Sequence, residues 1–262
     1  MPPLLDLDEP PAVECAAATG TLPLVLVCDH ASRRLPRALG NLGVIESELR
    51  RHIAWDIGAA DVARCLARRF GAGVVLTGYS RLVVDCNRYL DDPGAFPEIS
   101  DNVTICANLS LSNATRRQRI DTLFRPYHEA IAALLSGYSR QGITPALVSI
   151  HSFTPVFKGF ERPWHVGVLW DRDPRIAAPL MRRLGDRADV VVGDNLPYSA
   201  REPRGYTIRE HAAERGWPHV ALEIRQDLID TGEGAARWAQ LLAAELAPIL
   251  DEPSLFRAER FD

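Results

Sequence analysis

Short apolar runs alternate along this chain with longer stretches in which apolar residues recur every three or four positions. Continuous apolar runs predict strands buried on both faces, and the longer periodic stretches predict amphipathic helices. The predicted strands are residues 22–29, 74–76, 82–84, 146–150, 165–170, 190–192 and 220–225. The predicted helices cover residues 45–52, 57–70, 113–135, 175–184, 208–215 and 233–246. This alternation predicts an α/β fold whose sheet is covered by helices on both faces.

Capping and turn residues set the boundaries of these elements. Asn113 or Thr115 can cap the third helix, Thr207 can cap the helix over 208–215, and Pro248 is expected to stop the last helix. Residues rich in Asp, Asn, Pro and Gly predict a long surface loop at 88–112 and turns at 194–198 and 201–205. A loop as long as the first of these is often functional.

Four of the apolar runs end in polar groups that are capable of chemistry. These segments are residues 25–30, 82–88, 146–153 and 220–225. In an open α/β sheet, residues just past the carboxyl ends of the strands converge on one crevice. We therefore predict a single site, which is assembled from four strand ends.

Length and composition limit the class of protein. A chain of 262 residues that is 47% hydrophobic can bury one large core, and no linker divides it. We expect an N-terminal extension over 1–20, a single catalytic domain over 21–250 and a C-terminal tail over 251–262. The net charge of −4 argues against nucleic-acid binding, and no segment has the roughly 18 apolar residues that a membrane span needs.

The five cysteines and the N-terminal residues bear on the compartment. An odd number of cysteines without CxxC spacing suits free thiols in a reducing compartment. The N-terminal residues have neither a basic leader nor a long apolar core, so we expect a cytoplasmic protein. Cys28 lies beside Asp29 and His30 and can be read as a nucleophile, although cysteine is commonly buried as a small hydrophobe.

Three residues are candidate metal ligands. A hydrolytic zinc site uses three protein ligands and keeps one position open for water. His30 and His151 are the first two candidates, and Asp56 is the third because a buried carboxylate needs a compensating cation. Each has a structural alternative: a lone histidine is commonly a hydrogen-bonded structural residue, and Asp56 can cap the helix that begins at Ile57. No contiguous motif such as HExxH joins them.

Glu223 is the candidate general base. A carboxylate in an otherwise apolar strand has a raised pKa and can accept a proton from water near neutral pH. The alternative is a salt bridge to Arg225, which lies on the same side of the strand. Arg88 and Asn87, with Arg81 nearby, are candidates for binding a carboxylate, because the planar arginine fork matches that group.

Six segments of the chain resemble the N-formylglutamate amidohydrolase family, from about Val25 to Glu245. They are Asp29-His30-Ala31-Ser32, Trp55-Asp56-Ile57-Gly58-Ala59, Ser80-Arg81-Leu82-Val83-Val84-Asp85-Cys86-Asn87-Arg88, Ser149-Ile150-His151-Ser152-Phe153, Asn195-Leu196-Pro197-Tyr198 and Glu223-Ile224-Arg225-Gln226-Asp227-Leu228. More distantly, the segment around His151, the Asn87-Arg88 pair and the late Glu223 look like elements of zinc carboxypeptidases. The chain departs from carboxypeptidases in one respect, because His30 is followed by Ala31, Ser32 and Arg33 and not by an HxxE motif.

The resemblance implies a three-layer α/β/α sandwich with a mixed, mostly parallel central sheet, of the zinc exopeptidase (phosphorylase/hydrolase-like) type. It implies one zinc ion at His30, Asp56 and His151, with Glu223 as base and Arg88 as a second catalytic residue. Substrate contacts are expected from Asn87, Arg81, Arg225 and, as a weaker candidate in the turn after Tyr206, His211. The implied partner is a small acidic molecule.

Three functional hypotheses follow. The first is a zinc-dependent amidohydrolase that converts N-formyl-L-glutamate to formate and L-glutamate. The second keeps the metal site but acts on peptides or peptidoglycan amides. The third is a metal-free binding protein for acidic metabolites, in which the histidines are structural.

Overall fold

The strands form one large mixed sheet and two small ribbons in the computed structural model, which describes residues 2–202 and 205–261. The strands, in chain order, are β1 (Val13–Ala16), β2 (Leu24–Cys28), β3 (Gly73–Thr77), β4 (Ile99–Ser100), β5 (Val103–Thr104), β6 (Ala146–Phe153), β7 (Val156–Phe157), β8 (Phe160–Glu161), β9 (Val166–Leu169), β10 (Val192–Asp194) and β11 (His219–Arg225). The seven-stranded sheet has the order β1-β3-β2-β6-β11-β9-β10, whereas β4-β5 and β7-β8 are separate ribbons. Strands β3, β2, β6 and β11 are mutually parallel, while β1 and the β9–β10 pair join them antiparallel.

Helices cover both faces of this sheet. They are α1 (Glu46–Leu49), α2 (Ala59–Phe70), α3 (Asn113–Arg119), α4 (Arg125–Ser139), α5 (Ala177–Gly185), α6 (Thr207–His211) and α7 (Gly232–Leu250). Helices α2, α5 and α7 pack on the face that carries Leu24, Leu26 and Leu222. Helices α4 and α6 pack on the opposite face, against Val25 and Leu147. The predicted three-layer sandwich with a mixed, mostly parallel sheet is therefore confirmed.

The predicted strand over 82–84 is wrong. Leu82, Val83 and Val84 are buried, but they lie in a turn outside the sheet. Side chains replace the strand hydrogen bonds here: Asn108 Nδ2 donates to the carbonyl of Leu82 at 2.8 Å, and Arg119 Nη1 donates to that of Val83 at 3.0 Å. An apolar run alone does not reveal such partners.

Several helix boundaries in the structure also differ from the predicted ones. Ser112 caps α3 by accepting a hydrogen bond from the Thr115 backbone, in place of the predicted Asn113 or Thr115. A π-helical turn over Ile120–Phe124 joins α3 to α4. Helix α7 continues through Pro248, contrary to expectation, because Ile249 and Leu250 beyond it are buried in the same core as Leu246.

Other segments differ in smaller ways. The loop over 88–112 is not wholly on the surface, since Phe96, Ile105 and Asn108 within it are buried. Of the predicted turn over 201–205, residues 203 and 204 lie outside the described residues. Strand β1 lies within the predicted extension over 1–20 and pairs with β3 at the sheet edge. No helix in the described part of the chain has both the length and the apolar character needed to cross a bilayer.

The register of three central strands positions the site. Strand β6 lies between β2 and β11, and Glu223 of β11 is the register partner of His151 of β6. Register partners on parallel strands point to the same face, and side chains two residues apart on one strand do so as well. Ser149, His151 and Glu223 therefore all project towards the face that α4 and α6 cover.

Candidate active site

Three predicted ligands converge at the carboxyl ends of the central strands. His30 follows β2, Asp56 precedes α2 and His151 lies within β6. All three are buried, and one potential ligand atom from each lies within 4.8 Å of the others. A backbone hydrogen bond holds Asp56 next to His30, because the Asp56 N–H donates to the His30 carbonyl at 2.9 Å.

Both histidine rings are oriented by a second carboxylate. His30 Nε2 lies 2.8 Å from Asp85 Oδ1, and His151 Nε2 lies 3.0 Å from Asp29 Oδ2. The opposite ring nitrogens both face one atom, since Asp56 Oδ2 is 3.2 Å from His30 Nδ1 and 2.8 Å from His151 Nδ1. Metal-binding histidines commonly donate their other ring N–H to a carboxylate, which leaves the facing nitrogen free to coordinate.

Asp29 and Asp85 are held by further side chains. Asp29 Oδ1 accepts hydrogen bonds from Thr207 Oγ1 and, at 2.9 Å, from the hydroxyl of Tyr127. Asp85 accepts from Arg81 Nη2 at 2.6 Å. The sequence pattern assigns these two aspartates no role, although each directly follows an apolar run, with the candidate His30 one position after Asp29 and Asn87 two positions after Asp85.

The charges of this cluster stabilise one another. Burial alone would raise the pKa of Asp29, but the hydrogen bond from His151 and its positive charge lower that pKa to about 2. In the same way, Arg81 and His30 outweigh burial and hold the pKa of Asp85 well below its usual range. Burial lowers the pKa of His151, yet hydrogen bonds to Asp29 and Asp56 raise it well above its usual range. The opposite charges of the histidines and aspartates thus offset the cost of burying each of them.

Glu223 lies beside the cluster with an unused oxygen. Its side chain is buried, and Oε2 has no hydrogen-bond partner among the described residues. Burial raises the pKa of Glu223 to about 7, against the positive charges of His151 and His30. The predicted alternative, a salt bridge to Arg225, does not form, because Arg225 Nε pairs instead with Asp227 Oδ1 at 2.8 Å.

The candidate arginines have different surroundings. Arg81 pairs with Asp85 and also places Nη1 3.6 Å from Asp56 Oδ1. Arg225 donates from Nη1 to the carbonyls of Arg162 and Pro163, both at 3.5 Å. The positive charge of Arg88 acts on Asp85 and contributes to that group's lowered pKa.

Asn87 and His211 make structural contacts. Asn87 Oδ1 accepts from the backbone N–H groups of Tyr206 at 2.9 Å and Thr207 at 3.0 Å, at the start of α6. His211 Nε2 is 3.0 Å from His128 Nδ1, and both rings are buried. Their roles in substrate binding stay predictions, as does that of Arg88 in catalysis.

Cys28 is not placed for nucleophilic attack. Its side chain packs in the core on the α2 face, opposite to the face on which Ser149 and His151 lie. Burial raises the pKa of the Cys28 thiol well above its usual range. A buried neutral thiol is a weak nucleophile.

Together, the sandwich fold and the buried His-Asp-His group, with a carboxylate beside it, define an α/β protein with a candidate metal centre. The chain belongs to the N-formylglutamate amidohydrolase family, whose model matches residues 22–230.

Individual relatives agree with this membership. The N-formylglutamate deformylase of Pseudomonas putida is 31% identical over 144 residues, which are 51% of this chain and 52% of that protein. The chain therefore spans only about half the length of this curated relative. A gene product of Agrobacterium tumefaciens of known structure is 35% identical, with a TM-score of 0.90 over 94% of this chain and 98% of its own. An N-formylglutamate amidohydrolase from Ralstonia eutropha shares the fold, with a TM-score of 0.63 at 20% identity over 92% of this chain and 97% of its own.

Proposed function

We propose that this protein is a metal-dependent amidohydrolase that hydrolyses N-formyl-L-glutamate to formate and L-glutamate. The observation that carries the proposal is the buried group of His30, Asp56 and His151, with Glu223 in register beside it. Family membership and the deformylase relative support the choice of substrate. A small acidic metabolite is the partner, and the cytoplasm is the expected compartment.

The donor set fits a zinc ion. Two imidazole nitrogens and one carboxylate oxygen form the kind of three-ligand set found at catalytic zinc. Asp85 and Asp29 occupy the outer nitrogens, so His30 and His151 would both bind through Nδ1, together with Asp56. The close approach of both Nδ1 atoms to Asp56 Oδ2 supports this assignment.

Glu223 would move the proton in this reaction. A bound divalent ion supplies Lewis acidity, which lowers the pKa of water and polarises the amide carbonyl. Glu223 takes the proton of the attacking water through its free Oε2 and then gives it to the departing amide nitrogen. The charge of the departing amine is neutralised in this way, and the C–N bond breaks.

The remaining site residues would bind the substrate. Arg88 is assigned to the oxyanion that develops on the formyl carbonyl or to a substrate carboxylate. Asn87, Arg81, Arg225 and His211 are assigned to the walls of the site. The contacts of Asn87 and Arg81 within the protein suit a rigid wall that orients Arg88 and the substrate.

Metal content and product release test the proposal. Protein purified without added metal is compared by elemental mass spectrometry with His151→Ala and with His165→Ala, whose imidazole accepts from the Val191 N–H and is not one of the candidate ligands. We expect near one zinc per chain in wild type and in His165→Ala, loss of zinc in His151→Ala, and release of formate from N-formyl-L-glutamate.

Other outcomes point to the two alternatives. Wild-type protein that takes up no zinc, even when zinc is offered, and still binds glutamate would be a metal-free binding protein. Faster hydrolysis of a panel of peptides or peptidoglycan fragments than of N-formyl-L-glutamate would make the protein a peptidase or amidase on the same metal site.

A further inference from the structure

Arg162 is a buried cation that has no carboxylate partner in the described part of the chain. It follows the β7–β8 ribbon directly, and only 6% of its surface is exposed. None of the described residues forms an ion pair with it. Taking a charge out of water is costly unless the charge is paired, so a buried guanidinium of this kind needs a compensating group.

The contacts of Arg162 within the protein use one of its nitrogens. Nη1 donates to Thr154 Oγ1 at 3.3 Å, to the Thr154 carbonyl at 3.5 Å and to the Tyr198 hydroxyl at 3.3 Å. Nε and Nη2 donate to no described residue. The side of the guanidinium that can hold a carboxylate through two parallel hydrogen bonds is therefore left without an internal acceptor.

Aromatic rings hold this guanidinium in place. Its central carbon lies 4.7 Å from the ring centre of Phe157, 5.1 Å from that of Tyr198 and 5.8 Å from that of Phe153. Stacking on ring faces stabilises an arginine and leaves its in-plane donors available. Arg162 is thus fixed in advance, which reduces the entropy lost when it binds a ligand.

Arg119 shows what a purely structural buried arginine looks like in this protein. It also has no carboxylate partner among residues 2–202 and 205–261, but Nη1 donates to Asn108 Oδ1 at 2.7 Å and to the Val83 carbonyl at 3.0 Å. Those bonds join two chain segments and are short. The contacts of Arg162 are longer, at 3.3 to 3.5 Å.

Arg162 lies next to the candidate active site. Phe153, on which it stacks, is two residues beyond His151 and on the same side of β6. Tyr198 is 44% exposed, but its hydroxyl points inward to Arg162, and burial together with the charges of Glu223 and Asp56 raises its pKa. Through Phe153, the guanidinium therefore lies on the same side of the sheet as His151 and Glu223.

We propose that Arg162 binds one of the two carboxylates of the substrate and so selects acidic N-acyl amino acids. This inference rests on the proposed function and adds a specificity residue to it. Arg88 keeps the role assigned to it above, whereas Arg81 and Arg225 are less suited, because Arg81 pairs with Asp85 and Arg225 pairs with Asp227. Arg225 instead supports Arg162, since it donates to the Arg162 carbonyl.

The test compares variants on three substrates. Wild type, Arg162→Met, Arg162→Lys and the control Arg172→Met, an exposed arginine beside Asp171, are assayed with N-formyl-L-glutamate, N-formyl-L-glutamine and N-formyl-L-glutamate α-amide. In Arg162→Met we expect kcat/KM for N-formyl-L-glutamate to fall about 10- to 100-fold, mainly through KM, because a hydrogen-bonded charge pair is lost. For the amide that lacks the carboxylate bound by Arg162, the same variant should lose less than about threefold. Arg162→Lys should fall between, and Arg172→Met should match wild type.

A second readout separates this inference from the proposed function. Calorimetry of the binding of L-glutamate, L-glutamine and L-glutamate α-amide needs no turnover, so it applies even if wild type does not hydrolyse N-formyl-L-glutamate. We expect wild type to bind L-glutamate more tightly than the amide that lacks the carboxylate bound by Arg162, and we expect Arg162→Met to lose that preference.

The inference is overturned if Arg162→Met loses the same factor on all three substrates, or if its ligand preference equals that of wild type. Should Arg162→Met fail to fold, Tyr198→Phe removes one contact of Arg162 and keeps its charge. A rise in KM for N-formyl-L-glutamate alone would then support the inference, and an unchanged KM would contradict it.

Discussion

His30 and His151 reach the candidate metal centre from different strands, yet each turns Nε2 to an aspartate and Nδ1 to Asp56. Residue types and the family resemblance point to the two histidines, Asp56 and Glu223 as candidates, and the structure brings these residues together. The same signals were not enough to predict Asp29 and Asp85, because a carboxylate that orients a histidine looks in sequence like any polar residue at the end of a strand. Ring orientation depends on contacts between residues 55 and 122 positions apart, which a linear pattern does not contain.

Replacing Glu223 by Gln tests its role as base. The amide keeps the shape of the side chain but accepts no proton, so we expect kcat to fall about 100- to 10,000-fold. Zinc content should stay at the wild-type level, because Glu223 is not one of the proposed ligands. Steady-state kinetics and elemental analysis measure the two effects, and turnover equal to wild type would remove Glu223 from this role.

Replacing Asp85 by Asn tests the orientation of His30. The change removes the charged acceptor at Nε2, and we expect zinc affinity to fall about 10- to 100-fold. Asp173→Asn is the matched control, since Asp173 is also buried and paired with an arginine, Arg175, but lies outside the site. Competition with a chelator of known affinity gives both values, and equal affinities in the two variants would argue against the role of Asp85.

At the scale of the secondary-structure elements, Gly58 determines how the loop that carries Asp56 packs against the segment after β11. Gly58 precedes α2 with a φ of 79°, and a Cβ placed there would lie 2.0 Å from the Ile229 carbonyl oxygen. Only a glycine adopts this conformation at low cost and lets the loop after β11 approach so closely. The start of α2, the loop that carries Asp56 and the segment after Glu223 are therefore packed together.

A pair of glycine substitutions tests this packing. Gly58→Ala should lower the free energy of unfolding by about 2 kcal/mol or more, because backbone must move to admit the methyl group. Gly137→Ala, inside α4 where nothing lies within 4 Å, should instead raise it by about 0.5 to 1 kcal/mol. Urea unfolding measures both, and equal shifts would contradict the argument.

Apolar pattern and turn chemistry predicted most elements of the sandwich but failed in particular places. The strand over 82–84 was wrong because buried side chains of Asn108 and Arg119 satisfy backbone carbonyls that a sheet would otherwise satisfy. The end of α7 was wrong because tertiary burial of Ile249 and Leu250 outweighs the local effect of Pro248. In both cases a contact distant in sequence decides the local structure.

At the level of the whole molecule, the candidate ligands come from three separate regions of the chain. A metal bound by His30, Asp56 and His151 would join the end of β2, the start of α2 and β6. Such an ion binds the folded chain and not the unfolded one, so its binding energy adds to stability. Asp29 and Asp56 outweigh the effect of burial and raise the pKa of His151 well above its usual range. Binding of the ion must therefore displace a proton from this histidine.

Zinc should therefore stabilise the protein in a pH-dependent way. At about 100 times the dissociation constant, we expect about 2.7 kcal/mol of added stability at pH 8. At the same zinc concentration the gain should be smaller at pH 6, because protonated His30 and His151 compete with the metal and weaken its binding. Thermal unfolding with and without zinc at both pH values measures this, with His151→Ala as the variant that should show no gain.

Strand β1 has a consequence for any shortened form of this protein. Residues 13–16 pair along β3, whose five residues are all buried. A form that starts after residue 20 would leave the hydrogen-bonding groups of β3 open at the margin of the sheet. An uncovered apolar margin recruits strands from other molecules, so we expect a form without β1 to self-associate more readily than the full chain.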